Sequence, residues 1–119
     1  MMSRLIAAAT LVCVAHVAEA RDSGRADLAY LAVTDGYWEV WLAQADGKRA
    51  RQLTRSKNDK TRVSWYPDGS ALLASGNDGR VQRVDLEGRE TRIPLQQQPV
   101  IDAVISPDGR RLAYSFSSA

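Results

Sequence analysis

From Leu28 onward the apolar residues fall into short runs, each closed by a corner built from Asp, Asn, Pro or Gly, and none keeps the 3.6-residue spacing of a helix. Leu28-Ala29-Tyr30-Leu31-Ala32-Val33 is almost continuously apolar, as suits a strand covered on both faces. Thr34-Asp35-Gly36 is a turn signal, and Tyr37 to Ala43 is the strand that answers it. Asp46-Gly47 closes the next corner and Arg51-Gln52-Leu53-Thr54 starts a short, polar, outer-type strand. Arg55 to Lys60 reads as a loop. Thr61 to Trp65, Ala71 to Ser75, Val81 to Leu86 and Thr91 to Leu95 then follow as strands, with corners at Pro67-Asp68-Gly69, Asn77-Asp78-Gly79 and Glu87-Gly88. Pro94 cannot donate to a ladder, which places the last of these at an edge. Beyond the connector Gln96-Gln97-Gln98, Val100 to Ile105 and Arg111 to Phe116 flank a final corner at Pro107-Asp108-Gly109. The pattern predicts nine strands and an all-β chain.

The pattern also repeats. Val63-Ser64-Trp65-Tyr66-Pro67-Asp68-Gly69 through Ser75 returns forty residues later as Ala103-Val104-Ile105-Ser106-Pro107-Asp108-Gly109 through Ser115. Proline presets φ at the first central position of a type I turn, aspartate tolerates the second, and glycine takes the left-handed position that follows, so each copy is a tight hairpin with a bulge at the glycine. A hairpin recurring about every 40 residues is the mark of a β-propeller with one four-stranded blade per repeat. Asp35-Gly36 matches Asp78-Gly79, and Asp46-Gly47 corresponds to Glu87-Gly88. With strands lettered A to D from the channel outward, residues 27–59 supply strands B to D of one blade, 60–98 a complete blade, and 99–119 strands A and B of a third. The expected architecture is a partial propeller of about two and a half blades, after an N-terminal signal helix.

Residues 1–20 account for that helix. Arg4 precedes an apolar run from Leu5 to Val17, and Ala18-Glu19-Ala20 is a small-x-small cleavage site, as in a secretory signal peptide cut after Ala20. Thirteen residues fall short of the ~20 needed to span a bilayer, so no stable membrane insertion is expected after cleavage. A polar lead-in, 21–26, follows. These features point to a periplasmic or secreted protein. Cleavage would remove Cys13, His16 and both methionines, leaving no cysteine and no histidine from Arg21 onward. That excludes disulfides, thiolate or imidazole catalysis and the common zinc and haem ligations from the mature segment.

The corners carry a resemblance. Trp65-Tyr66-Pro67-Asp68-Gly69 and Ile105-Ser106-Pro107-Asp108-Gly109 resemble the W-S-P-D-G element of TolB-type, WD-like propeller repeats. Gln52-Leu53-Thr54 resembles their R-x-L-T blade ending, and Asp85-Leu86-Glu87-Gly88 their D-L-D-G turn. The resemblance covers nearly all of residues 27–116. It implies a periplasmic or secreted binding scaffold. TolB itself works with the Tol-Pal envelope system, and similar repeats form the propeller domains of prolyl-oligopeptidase-type serine peptidases. The separate N-terminal domain of TolB has no counterpart here, and closed propellers carry ~4–8 blades, so the chain reads as a fragment or truncated member of the family.

There is no G-x-S-x-G elbow and no histidine to serve a serine nucleophile, so the chain is expected to be no enzyme and to need no cofactor. Carboxylate pairs such as Asp35 with Glu39, or Asp85 with Glu87, are assigned to turn chemistry, and no run has calcium-loop spacing. Pro67, Asp68, Gly69, Pro107, Asp108 and Gly109 are read as the structural turn motif. Tyr37, Trp38 and Trp41 are the densest aromatic group, with Trp38 on the face opposite the other two. They are expected in the core between blades, a ligand platform or an exposed surface missing its partner blade being the alternatives. Arg49, Arg51 and Arg55 belong to a basic cluster, Lys48 to Arg62, expected on a solvated outer strand and loop, and a footprint for an anionic partner otherwise. Net charge is only +2 and exposed aromatics are not interleaved with the cluster, so nucleic acid is not expected. The function expected is a non-enzymatic envelope module binding a protein partner, with self-association through open blade edges. The alternatives are the propeller portion of a secreted serine peptidase or a carbohydrate-binding propeller using Tyr37, Trp38 or Trp41.

Overall fold

A computed structural model describes residues 26–118; the signal peptide and cleavage site expected from the sequence lie outside the described residues. Nine strands are present among them: β1 (Leu28–Thr34), β2 (Tyr37–Ala43), β3 (Arg51–Gln52), β4 (Lys60–Trp65), β5 (Ala71–Gly76), β6 (Val81–Asp85), β7 (Glu90–Arg92), β8 (Val100–Ile105) and β9 (Leu112–Phe116). They form three antiparallel sheets in sequence order, β1-β2-β3, β4-β5-β6-β7 and β8-β9. The architecture is therefore all-β, a partial propeller with one complete four-stranded blade. Pro94 stands just beyond β7, the outermost strand of that blade, as the missing N–H requires.

Both Pro-Asp-Gly corners fold as their chemistry dictates. Gly69 N donates to Tyr66 O at 2.9 Å and Gly109 N to Ser106 O at 2.8 Å, and the two glycines take φ of 74° and 75°. The β1–β2 and β5–β6 hairpins differ by one residue. Asp35 and Gly36, at φ 54° and 87°, make a two-residue turn, whereas Gly76 to Gly79 adds a residue to the β5 side. Thr34↔Tyr37 is thus the counterpart of Gly76 and Arg80, and β1 aligns with β5 at an offset one shorter than β2 with β6. This register makes Leu31 the counterpart of Leu73, and Tyr30 and Trp41 those of Leu72 and Val84.

Two apolar layers hold the sheets together. The first joins Ala29, Leu31, Val40 and Leu42 of β1–β2 to Val63, Leu72, Ala74 and Val84 of the central blade. The second joins Leu73 and Val81 to Val100 and Ala103, with Leu112 and Tyr114 packed on them. Successive residues of β5 point to opposite faces, so Leu72 serves one layer and Leu73 the other. That is why Ala71–Ser75 is buried throughout and reads as an unbroken apolar run.

Gly79 ties the second layer to the backbone. Its carbonyl accepts from Val100 N at 2.9 Å, and a Cβ placed on it would meet Pro99 Cβ and come within 2.8 Å of Pro99 Cα. Gly36 has a similar φ of +87° but nothing within 4 Å of such a Cβ. Gly36→Ala should therefore cost about 1 kcal/mol, the left-handed penalty alone, and Gly79→Ala about 2–3 kcal/mol, with overpacking added. Urea denaturation of the two variants side by side checks the difference; equal losses would mean Pro99 moves aside freely.

Candidate functional site

The two corners stand side by side at one end of neighbouring blades and enclose an open cleft of about 310 Å³ lined by Tyr66, Pro67, Asp68, Pro107, Asp108 and Gly109. Each aspartate is fixed by its own turn. Asp68 Oδ1 accepts from Ser70 Oγ at 2.7 Å and Ser70 N at 3.0 Å; Asp108 Oδ1 accepts from Ser106 Oγ at 2.6 Å and Arg110 N at 3.0 Å. The Ser70 hydroxyl holds the Asp68 carboxyl below its usual range, and the Ser106 hydroxyl does the same for Asp108. Both carboxylates are therefore ionised at neutral pH, and each uses one oxygen in the turn. Tyr66 forms part of the wall, with the Arg83 guanidinium 5.4 Å from its ring centroid, a cation–π distance. Burial pushes the Tyr66 phenol up, so it remains a neutral donor and acceptor. The cleft thus presents two rigidly held anions and proline and tyrosine walls. Such a surface can receive cationic or amide groups.

The aromatic group does not assemble as the core it was expected to be. Tyr37 and Trp38 are 36% and 42% exposed. They lie at the hairpin end of β2, beyond the reach of the first apolar layer, and project to opposite faces, so they share no platform. Trp41 is half-buried and stacks on Tyr30 with centroids 6.4 Å apart, its Nε1 donating to Thr34 Oγ1 at 3.0 Å. Arg49, Arg51 and Arg55 are exposed, as expected of an outer strand and loop, and none lines the cleft. Arg51 Nη2 donates to Leu86 O at 3.0 Å, bridging the first and second sheets.

A charged centre that the linear pattern misassigned lies between those sheets. By sequence Glu39 belongs to turn chemistry and Lys60 to the solvated cluster, yet they are 2% and 4% exposed. Lys60 Nζ donates to Glu39 Oε1 at 3.0 Å, Ser56 Oγ at 2.7 Å and Asn58 O at 2.9 Å, and lies 3.7 Å from Glu90 Oε1. Glu39 also accepts from Thr54 Oγ1 at 2.6 Å and Lys57 N at 2.8 Å. Burial pushes the Glu39 carboxyl up, but the Thr54 hydroxyl, the Lys57 amide and the Lys60 ammonium together outweigh it and leave the group below its ordinary value. The only forewarning in sequence is that Glu39 interrupts an apolar strand, where a buried charge needs a partner.

No protein-family model matches the chain. Over 85 residues, 67% of this chain and 20% of the relative, it is 32% identical to a protein of Escherichia coli (strain K12) named Uncharacterized protein YidR. Among solved structures it is similar to TolB from Acinetobacter baumannii, with a TM-score of 0.65 and 19% identity, over 77% of this chain and 25% of that one. The chain thus spans about a fifth to a quarter of the proteins it matches. Its three sheets are part of a TolB-like β-propeller fold.

Proposed function

We propose that this chain is a non-enzymatic propeller module of the cell envelope, exported by its leader, which binds a protein partner at the end carrying the Pro-Asp-Gly corners. The observation that carries the reading is the cleft between successive corners, whose two carboxylates are held ionised by their own turns. The fold likeness to TolB supports it at the level of architecture. A partner with basic or amide-rich segments fits the chemistry of the cleft, since fixed anions favour on-rate and specificity for positive surfaces. The carbohydrate alternative is weaker, because Tyr37 and Trp38 point to opposite faces and offer no joint stacking surface.

Titration calorimetry against purified soluble domains of the Tol-Pal system tests the proposal, using the full chain and an Asp68→Lys, Asp108→Lys double variant. Binding in about the micromolar range is expected, with a loss of tenfold or more in the variant and no change in its circular dichroism. Binding that ignores the double substitution would move the site off the cleft. No binding to any of these domains would remove the Tol-Pal partner class. Fractionation of cells expressing a C-terminally tagged chain checks export separately, the tag being expected in the periplasm or medium.

A further inference from the structure

The chain carries five Asp-Gly dipeptides, all in corners between strands, and the fold treats one of them differently. At Asp46, Asp68, Asp78 and Asp108, carboxylate Oδ1 accepts from the amide two residues on, at 2.9, 3.0, 3.0 and 3.0 Å. The glycine of each of these corners is engaged as well. Gly47, Gly69, Gly79 and Gly109 donate their N–H to the carbonyl three residues back, at 2.8, 2.9, 3.1 and 2.8 Å. Asp35 and Gly36 make neither bond: among the described residues the Asp35 carboxylate and the Gly36 N–H have no hydrogen-bond or ion-pair partner. The cause is loop length. In the two-residue β1–β2 turn Asp35 takes the first central position, at φ 54°, and the amide two residues on belongs to Tyr37, already paired with Thr34 in the ladder. The extra residue of the β5–β6 hairpin moves Asp78 one position later, where its side chain can close the turn. Asp35 and Gly36 are both exposed, and nothing lies within 4 Å of a Cβ placed on Gly36.

We infer that Asp35 is a site of spontaneous covalent modification, at which the folded chain isomerises to isoaspartate while its other Asp-Gly corners are protected. The Gly36 nitrogen bonds to Cγ of the protonated Asp35 carboxyl, and its proton leaves with the carboxyl hydroxyl as water, closing a succinimide. Water then adds to one of the two ring carbonyls. Cleavage of the new N–Cγ bond restores aspartate. Cleavage between the nitrogen and the α-carbonyl carbon leaves the chain running through the side-chain carbonyl, with a free carboxylate on Cα. One water is lost and one gained, so mass and charge are unchanged and no other reactant is needed. At the remaining corners the nucleophile and the carboxyl must each leave a hydrogen bond before they can meet. Asp46-Gly47 isolates that effect, because it is equally exposed and its glycine is equally uncrowded. The product adds a methylene to the backbone of a two-residue turn, which spreads the Thr34↔Tyr37 pair. Asp68 and Asp108 are shielded by the same bonds that shape the corner cleft. The inference does not depend on what that cleft binds.

Ageing the full chain in neutral buffer at physiological temperature, folded and in denaturing urea, tests it. Peptide mapping by electron-transfer fragmentation separates isoaspartate from aspartate at each corner. Methyl transfer from labelled S-adenosylmethionine by an isoaspartyl methyltransferase gives the total. In the folded chain isoaspartate should accumulate at residue 35 at least about tenfold faster than at residue 46, 68, 78 or 108, a barrier difference of about 1.4 kcal/mol. In urea the five rates should draw together, since the protecting bonds belong to the folded turns. Asp35→Glu, whose longer side chain closes the ring poorly, should remove most of the methyl-accepting signal from the folded protein. Comparable rates at residues 35 and 46 in the folded chain would overturn the inference. So would a preference for residue 35 that persists unchanged in urea, or a folded chain in which residue 35 stays as aspartate while the unfolded chain isomerises.

Discussion

Replacing Lys60 with methionine should destabilise the fold by about 3–5 kcal/mol, the usual cost of removing one partner from a buried ion pair. The side chains are of similar length, so little volume is lost; what changes is charge. Lys60 Nζ is the cation beside Glu39 Oε1 at 3.0 Å and Glu90 Oε1 at 3.7 Å, with side chains 3%, 2% and 15% exposed. Without it, two carboxylates face each other across a desolvated seam between the first and second sheets. Adding Glu39→Gln should recover much of the loss, since the amide oxygen can still accept from Thr54 and the unpaired charge is gone. A double-mutant cycle by urea denaturation checks this. If the single and double variants are equally unstable, Lys60 acts through packing and not through Glu39.

The same centre sets an acid limit. The folded carboxyl of Glu39 lies below its ordinary value of 4.5, so its contribution is complete above that value and is lost as pH falls through the lower folded one. The wild type should therefore lose stability as pH drops below about 4.5. The Glu39→Gln, Lys60→Met variant should lose less over the same range.

What the linear pattern could reveal was whatever is decided within a few residues. Pro67-Asp68-Gly69 folds the same way wherever it stands, because each residue's own backbone preference selects the turn, and the forty-residue period follows from counting two such corners. Burial between sheets is different. Tyr37 and Trp38 read as core on the assumption that a blade covers each face of β2; the first layer covers Val40 and Leu42 but stops short of the hairpin end. Glu39 and Lys60 looked solvated because each neighbours polar residues in sequence. Their pairing depends on β3 being only two residues long, so that Thr54 and the loop after it turn back over β2 and deliver Lys60 to the seam. The cleft was hidden for the same reason. Its corners are forty residues apart and meet only once two blades pack.

Leu72→Ala should be the most damaging single change to the apolar structure, costing about 2–5 kcal/mol. Leu72 is fully buried in the layer between the first and central sheets, and its removal leaves a void among side chains of both sheets. Leu73→Ala, one residue on, removes the same atoms from the layer shared with β8–β9. If sheet-on-sheet contacts act as nearest-neighbour units, the two variants differ in where they loosen the molecule. Hydrogen exchange should show β1 and β2 amides released first in Leu72→Ala, and β8 and β9 amides first in Leu73→Ala. Val104→Ala, at an exposed position in the third sheet, should stay within about 0.5 kcal/mol of the wild type. Uniform acceleration in both leucine variants would mean instead that the three sheets open as one unit, with the ion pair at Lys60 and the Gly79–Val100 hydrogen bond coupling layers that the leucines alone would leave separable.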